Sequence, residues 1–420
     1  MEYLKYLNLS LLLFSSFFGI AQTVTSVSST AANGAYKVGD VIPITVTFSA
    51  NVTVTGTPQL TLETGSTDVV VDYSSGSGTN TLTFNYTVAA GHTSSDLDFV
   101  STGSLRLSAP NPGTPVYKDT NDEASGIAIS GNYAFIADFG SGLAIIDISD
   151  PTNPGNPIYE DTNGESWDLA INGNYAYLAD RSSGLAIIDI SDPINPGTPV
   201  YRNTNSGAFN VAISGNYAYV ATFGSRTGTN IWRSDLNIID ISDPTNPGTP
   251  VYEATKEIAF DVAISGNYAY VTNRDFGLAI IDISDPTNPG ASVYKDTNGS
   301  ADAITISGNY AYVSRGGLAI IDISDPTNLG TPVYKDDLNG DAQSIAISGN
   351  YAYLASYGSG LAIIDISDPA NPGTAVYIGT DGMAESVAVR GNYAYVAAEL
   401  AGLAIIPTNV SDITDATGSG

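Results

Sequence analysis

Cysteine is absent from this chain of 420 residues, and histidine occurs once, as His92. Without thiols, a disulfide framework, a cysteine nucleophile and a cysteine-based metal site are all excluded. His92 lies before the repeated part of the sequence, so a Ser-His-Asp triad or a histidine–metal centre cannot form in the repeats. We therefore expect a protein that is not an enzyme and that needs no cofactor.

Basic residues are also scarce. The chain has 14 Lys and Arg against 43 Asp and Glu, which gives a formal net charge of −29 at pH 7. Such a surface repels phosphate backbones and anionic lipids, so we expect no nucleic-acid partner and no peripheral membrane contact. A soluble, salt-tolerant surface is the simpler interpretation of this charge, and attraction of cations or basic partners is the alternative.

The first residues have the features of a secretory signal. One lysine precedes an apolar run of roughly 15 residues, and Gly19-Ile20-Ala21 provides a small-x-small cleavage pattern. The run is too short to favour a membrane span. We predict a signal peptide over residues 1–21, and a mature protein that is secreted or held at the outer cell surface without membrane insertion.

Residues 23–107 have alternating apolar and polar positions but no long repeat. Val, Thr and Tyr recur with a period of two between Gly- and Ser-containing breaks, which predicts about seven antiparallel strands in a small β-sandwich. The stretches "YKVGDVIPITVTFS" and "TLTFNYTV" resemble the Ig-like or cadherin-like modules of bacterial surface proteins.

The rest of the chain is a repeat of about 42 residues. The motif "SGNYAY" and its close variants place a glycine at regular intervals, with one longer step of 51 residues, at Gly131, Gly173, Gly215, Gly266, Gly308, Gly349 and Gly391. Each repeat contains four strand-like segments, such as "DLAIN", "YAYLAD", "GLAIIDIS" and "TPVY". Four strands at this period are typical of a β-propeller blade.

The two ends of the array are offset. The last repeat stops after its third segment, at "GLAIIP", while an unpaired fourth segment, "GTPVYKDT" at 113–120, precedes the first repeat. The chain has seven copies of each of the four segments only if this segment completes the final blade. That pairing also removes the exposed sheet edge that an open array would have. We predict an all-β fold with a seven-bladed propeller over 113–407, followed by a tail over 408–420.

The repeated phrase "GLAIIDISDPTNPGTPVY", with "YAYVA" before it, resembles the LVIVD-repeat family of secreted or surface proteins of bacteria and archaea. The resemblance covers the whole array and implies a propeller and a surface location. It supplies no catalytic residues.

Variation among the copies separates the two faces of the predicted ring. The turns after the first and third segments are nearly constant, whereas the other two loops differ from blade to blade. Variable loops on a constant scaffold are typical of binding surfaces. The candidate ligand-binding residues are three aromatic–polar pairs in blades two to four and three residues of the nine-residue insertion in the third repeat: Trp167, Asp168, Phe209, Asn210, Phe260, Asp261, Arg226, Trp232 and Arg233.

The two groups have different chemistry. We expect the insertion to anchor a carboxylate or a sugar, and the three pairs to meet at one sector of the channel mouth. The alternative for the aromatic residues is packing between blades. In the repeated "DISDP", Asp147, Asp150 and Asn153 are oxygen ligands close in sequence, as are Asp96 and Asp98 in the first module. Calcium at the repeated motif is not favoured, because proline after the aspartate is typical of a turn. A cation at Asp96 and Asp98 stays a weaker alternative.

The function we predict is a non-catalytic binding or adhesion module at the cell surface. A glycan, a peptide or a surface protein would bind the variable face, and we expect a monomer. Two alternatives remain. The chain is a purely structural segment of a larger surface protein, or it is a glycoside-active enzyme that uses the carboxylates of Asp168 and Asp261.

Overall fold

The computed structural model describes residues 24–31, 35–55, 57–64, 68–92, 98–99, 105–106, 110, 112–204, 206–224, 234–314, 316–336, 338–408 and 412–415. The chain divides into two compact units, one of Met1–Asn111 with Asn409–Gly420 and one of Pro112–Thr408. The regular secondary structure of these described residues consists of β-strands. Among them, no helix is long and apolar enough to cross a membrane.

The first unit contains seven strands before the repeats begin. They are β1 (Val24–Ser29), β2 (Val41–Thr55), β3 (Gln59–Glu63), β4 (Val69–Ser75), β5 (Thr79–Thr87), β6 (Asp98–Phe99) and β7 (Leu105–Arg106). Their order is β1-β2-β5-β4-β3-β6, with β7 also on β3, and all pairs are antiparallel. Alternate residues of β2 and β5, such as Phe48 and Phe84, form the core. The Ig-like assignment stays a prediction.

The second unit is a ring of seven four-stranded sheets. Strand β8 (Val116–Lys118) precedes the first sheet in the chain. Blade 1 contains β9 (Gly126–Ser130), β10 (Tyr133–Ala137), β11 (Leu143–Asp147) and β12 (Ile158–Glu160), and blade 2 contains β13 (Asp168–Asn172), β14 (Tyr175–Ala179), β15 (Leu185–Asp189) and β16 (Val200–Arg202). Blade 3 contains β17 (Gly207–Ser214), β18 (Tyr217–Phe223), β19 (Ser234–Asp240) and β20 (Val251–Thr255), and blade 4 contains β21 (Val262–Ser265), β22 (Tyr268–Thr272), β23 (Leu278–Asp282) and β24 (Val293–Lys295). Blade 5 contains β25 (Ile304–Ser307), β26 (Tyr310–Ser314), β27 (Leu318–Asp322) and β28 (Val333–Lys335), and blade 6 contains β29 (Ser344–Ser348), β30 (Tyr351–Ala355), β31 (Leu361–Asp365) and β32 (Val376–Ile378).

Blade 7 consists of β33 (Ser386–Arg390), β34 (Tyr393–Ala397), β35 (Leu403–Pro407) and β8. We call the four strands of each blade A to D in their order across the sheet, so β8 is strand D of blade 7. The predicted seven-bladed propeller is therefore confirmed.

The hairpin between strands A and B follows from the Gly-Asn pair. In blade 2, Asn172 pairs with Tyr175, which leaves only Gly173 and Asn174 in the turn. Gly173 has φ of 57°, in the left-handed region that glycine enters without a steric penalty.

The core of the ring lies between the blades. Strands B and C are buried on both faces: Phe135 and Ile145 of blade 1 belong to one apolar cluster with Leu178 and Ile188 of blade 2, and all four are at most 2% exposed. Alanines in the same strands, such as Ala176, are fully buried and leave room for these larger side chains. This alternation is the packing expected when each sheet lies between two others.

The ring is closed by β8, as the sequence predicts. Leu403, Ala404 and Ile405 of β35 pair with Lys118, Tyr117 and Val116. Strands β31 and β32 of blade 6 have the same register, with Ala362 opposite Tyr377. The closing strand therefore occupies the position that a local strand D occupies in the other blades.

One strand was not predicted. Asp412–Asp415 forms β36, which pairs antiparallel with β2, Val52 lying opposite Asp415 and Thr55 opposite Asp412. The sequence predicts a C-terminal tail over 408–420 and indicates no strand there. The four residues "DITD" alternate too briefly to stand out, and their partner strand is more than 300 residues away in the sequence, so no local pattern indicates the pairing.

Candidate ligand-binding site at the channel mouth

The strands A line the axis of the ring. Each contacts the next in the order β9, β13, β17, β21, β25, β29 and β33, and β33 contacts β9. A cavity of about 520 Å³ lies at the beginning of these strands. Its lining residues are Ser125, Trp167, Asp168, Phe209, Asn210, Phe260, Asp261, Arg274, Ser300, Asp302, Gly316, Asp341, Gln343, Ser344, Glu385 and Ser386.

Two positions of the repeat supply most of this lining. Position six is the sixth residue before the A–B turn glycine, and its seven members all line the cavity: Ser125, Trp167, Phe209, Phe260, Asp302, Gln343 and Glu385. Position five is the next residue, and its members are Gly126, Asp168, Asn210, Asp261, Ala303, Ser344 and Ser386. The structure thus brings the three predicted aromatic–polar pairs together in one cavity.

Three of the position-six residues form an aromatic arc, which we define as Trp167, Phe209 and Phe260. The rings of Trp167 and Phe209 are stacked with centroids 4.8 Å apart, and Phe260 packs edge-on against Phe209 at 5.4 Å. The aromatic side chains therefore pack between blades, and they also stay half-exposed on the cavity wall. The indole N–H of Trp167 is buried and has no hydrogen-bond acceptor among the described residues.

The polar members of the pairs bind the neighbouring blade. Asp168 Oδ2 accepts a hydrogen bond from the backbone N–H of Val211 at 3.2 Å, and Asp261 Oδ2 accepts one from Ile304 at 2.7 Å. Asn210 Oδ1 accepts the equivalent bond from Val262 at 3.3 Å. Position five therefore links consecutive strands A, a structural role that the sequence analysis did not assign.

Burial changes the acidity of these two aspartates. Burial and the negative charge of Asp261 together raise the pKa of Asp168 to about 7, although hydrogen bonds from the backbone of Val211 and Leu169 lower it. Burial likewise raises the pKa of Asp261 to about 6, opposed by the N–H groups of Ile304 and Val262. The cavity thus holds two carboxyl groups that titrate near neutrality.

Blade 1 has a glycine where blades 2 to 4 have a polar side chain. A Cβ atom on Gly126 would lie 2.7 Å from the Cα atom of Asp168 and 2.9 Å from the carbonyl oxygen of Trp167. Strand β13 therefore approaches β9 too closely for any side chain at this position.

The B–C loops hold a second set of side chains in an unusual backbone conformation. The eighth residue after the turn glycine is a non-glycine residue with positive φ in five blades: Phe139 at 34°, Arg181 at 39°, Arg274 at 35°, Tyr357 at 34° and Glu399 at 42°. Each forms an isolated β-bridge with the residue just before position six of the following blade. Positive φ costs such residues about 1–2 kcal/mol, so these bridges must hold them in place.

Some of these loop side chains reach the mouth. The Phe139 ring packs edge-on against Trp167 at 5.7 Å, and the guanidinium of Arg181 lies 5.5 Å from the centroid of the Trp167 ring while also pairing with Glu165. Arg274 lines the cavity. The variation of these loops was predicted, but this position was not. Its constant distance from the turn glycine is the signal that identifies it.

The opposite side of the mouth is acidic. We define the acidic sector as Asp302, Asp341 and Glu385, which line the cavity. Burial and the charges of Glu399 and Glu123, together with a hydrogen bond between the Glu385 and Glu399 side chains, raise the pKa of Glu385 to about 7. Burial also raises the pKa of Asp302, and the charge of Asp341 adds to it. This sector was not predicted, because the candidate residues in the repeats were aromatic–polar pairs, which occur only in blades 2 to 4.

The repeated "DISDP" forms a turn in the structure. Asp147 Oδ1 accepts a hydrogen bond from the N–H of Ser149 at 2.8 Å, and Asp150 Oδ1 accepts bonds from the N–H and the hydroxyl of Thr152 at 3.0 and 2.7 Å. These bonds lower the pKa of both aspartates. In the described part of the chain, no three histidine or acidic side chains form a group that could hold a metal ion.

Several predicted residues fall outside this description. Arg226, Trp232 and Arg233 of the insertion lie outside the described residues, as do residues 1–23 and Asp96.

Comparison with known proteins places the repeats in a family. The family model of the LVIVD repeat matches residues 122–156, 163–199, 207–249, 258–297, 298–331, 339–378 and 381–415. Among solved structures, the computationally designed Ika8 protein is similar with a TM-score of 0.49 and 11% sequence identity, over 70% of this chain and 98% of that chain. No curated protein sequence matches the chain.

Proposed function

Since this chain belongs to the LVIVD-repeat family, we propose that its propeller is the non-catalytic binding module of a secreted or cell-surface protein. The ligand, a glycan, a peptide or a surface protein, binds at the channel mouth.

The observation that carries this proposal is the cavity at the start of the strands A. Its volume of about 520 Å³ lies within the range of roughly 300–1,000 Å³ that is typical of small-molecule sites. Apolar rings line one side and carboxyl groups the other. A mixture of aromatic surface and a few polar groups is the usual chemistry of a binding pocket.

The distribution of variation supports binding over a purely structural role. Position six differs in almost every blade, whereas the residue before it is alanine in six blades, with Ser166 in the other, and is at most 1% exposed. Packing alone therefore selects nearly one residue type where the side chain is buried. The side chains of position six lie on the cavity wall, where packing does not restrict the residue type. Such variation is expected for residues that contact a ligand.

Glycan and peptide arrays test the proposal. We expect the wild-type protein to bind at least one ligand, and Trp167→Ala/Phe209→Ala to weaken that binding by about tenfold or more, as for aromatic residues at the centre of an interface. Phe276→Ala is the matched control, because Phe276 is an aromatic residue in the B–C loop of blade 4 that is 45% exposed and does not line the cavity.

Two outcomes would contradict the proposal. Binding that survives in the double variant would place the site elsewhere. Binding of no array ligand by the folded wild-type protein would favour the purely structural role.

Glycoside hydrolysis is the second candidate, and one observation favours it. Asp168 and Asp261 line the same cavity and have pKa values raised to about 7 and about 6, in the range that suits a general acid near neutral pH. Against it, both carboxylates accept hydrogen bonds from the backbone of the next blade. Hydrolysis of an array glycan that is abolished by Asp168→Asn would establish the enzyme, and binding without hydrolysis would favour the binding module.

A further inference from the structure

We propose that the channel mouth selects an organic cation, whose ammonium or guanidinium group pairs with Asp168 and Asp261 while its apolar part lies against the aromatic arc. This inference rests on the proposed binding function and names the chemical class of the ligand.

The first argument comes from a comparison of position five among the blades. Asn210 makes the same inter-blade hydrogen bond as Asp168 and Asp261, and Ser344 Oγ accepts one from the N–H of Val387 at 3.3 Å. A neutral acceptor is thus sufficient to link the strands. Burying a carboxylate at this position costs more free energy than burying an amide. The hydrogen bond to the next blade therefore does not explain why blades 2 and 4 have aspartate, and we assign the negative charge a second role.

The second argument is the charge of the cavity wall. Its described lining residues include the carboxyl groups of Asp168, Asp261 and the acidic sector, against the single guanidinium of Arg274. The whole chain carries a formal net charge of −29. This field attracts cations to the mouth and repels anions.

The third argument is that the aromatic arc already holds a cation of the protein itself. The guanidinium of Arg181 lies 5.5 Å from the centroid of the Trp167 ring, within the distance of a cation–π contact. The exposed parts of the Trp167, Phe209 and Phe260 rings offer the same apolar and electron-rich surface to a ligand. Aromatic rings beside carboxylates are a recurrent way to recognise ammonium groups.

This chemistry could come from a free amine or from a lysine side chain of a peptide, and the test separates the two. We would titrate benzylamine and the peptide Ac-Gly-Gly-Lys-Gly-Gly-NH2, each with a neutral match, benzyl alcohol and the Nε-acetylated peptide. Isothermal titration calorimetry measures each affinity on the wild-type protein, so no candidate ligand-binding residue has to be changed.

In the wild-type protein we expect at least one cationic probe to bind about tenfold or more tightly than its neutral match. Asp168→Asn/Asp261→Asn should remove this difference without lowering the melting temperature, because the amides retain the inter-blade bonds. Asp285→Asn is the control, since this aspartate is exposed in a C–D turn and accepts bonds only from Thr287 and Asn288 of the same turn. Its cation affinity should be unchanged. Binding of benzylamine alone would indicate a small amine, and binding of both probes a lysine side chain.

The inference would be overturned if each cation bound no better than its neutral match, or if the double variant retained the preference. The first comparison uses the wild-type protein and so holds even if the double variant fails to fold. An array ligand that depends on Trp167 and Phe209 but carries no positive charge would also overturn it, while leaving the proposed binding function in place.

Discussion

At the scale of single residues, position five of strand A combines two roles. The link to the next blade requires only an oxygen acceptor, which aspartate, asparagine and serine all provide in this ring. The charge of Asp168 and Asp261 is therefore not needed for this link. Both side chains line the cavity, and the pKa values of their carboxyl groups are raised. The link could not be predicted from one blade, because its acceptor and donor belong to neighbouring repeats.

The raised pKa values predict a pH dependence of stability. In the unfolded chain Asp168 and Asp261 titrate near the ordinary value of 3.8, but in the folded protein they titrate at about 7 and about 6. Between these pH values the folded state therefore binds more protons than the unfolded state does. The free energy of unfolding should then fall as the pH rises from about 4 to about 7. Asp168→Asn/Asp261→Asn should flatten this fall in urea unfolding measured at about pH 5 and about pH 8.

The turn aspartates have the opposite sign. Hydrogen bonds lower the pKa of Asp147 and Asp150, so their stabilisation is present above pH 3.8 and is lost as the pH falls further. These turn aspartates titrate below the range from about pH 5 to about pH 8 that the urea measurements cover, so they do not contribute to the fall in unfolding free energy there. If that fall were the same in Asp168→Asn/Asp261→Asn as in the wild-type protein, the assignment of raised pKa values to Asp168 and Asp261 would be contradicted.

Gly126→Ala tests the close approach of blades 1 and 2. The new Cβ atom would lie 2.7 Å from the backbone of Asp168, so the variant should lose about 1–3 kcal/mol of unfolding free energy, as in other overpacked sites. Gly358→Ala is the control, because nothing lies within 4 Å of its added Cβ atom. Denaturant unfolding that gave equal losses for both variants would show that the two strands are not in contact.

At the scale of strands and turns, most of the structure could be predicted from the repeat. The Gly-Asn hairpins and the four strands of each blade follow from local residues that recur in every copy. The B–C loops could not be predicted in the same way. Phe139 and Arg181 adopt positive φ although neither residue favours it, because a bridge to the next blade holds each of them. Tertiary contacts decide the conformation there.

The tyrosine of strand D gives a test of the closing strand. The hydroxyl of Tyr201 accepts a hydrogen bond from the N–H of Asn163 at 2.9 Å within blade 2, and Tyr117 on β8 accepts the equivalent bond from Asp381 across the closure at 2.9 Å. We expect Tyr117→Phe and Tyr201→Phe to lose similar amounts of stability, about 0.5–1.5 kcal/mol each. Thermal or denaturant unfolding in which only Tyr201→Phe had an effect would indicate that β8 is not seated.

At the scale of the whole molecule, ring closure assembles the candidate site. It brings Glu385 of blade 7 beside Ser125 of blade 1, at opposite ends of the repeat array, and sets the acidic sector against the aromatic arc. The sequence predicted the half of the site that contains Trp167, Phe209 and Phe260, because three aromatic–polar pairs stand out in adjacent copies. It missed the acidic half because Asp302, Gln343 and Glu385 share no residue type, and only their common position six residues before the turn glycine relates them.

A cysteine cross-link tests the closure most directly, since the chain contains no cysteine of its own. Tyr117 lies opposite Ala404 in the β8–β35 pair, at a spacing that a disulfide can bridge. Tyr117→Cys/Ala404→Cys should therefore form an intramolecular disulfide, seen by non-reducing electrophoresis and peptide mapping. Tyr377→Cys/Ala362→Cys, the same pair within blade 6, is the positive control, and Tyr117→Cys/Ala362→Cys should not cross-link. If the blade 6 pair cross-linked but Tyr117→Cys/Ala404→Cys did not, the ring would not be closed by β8.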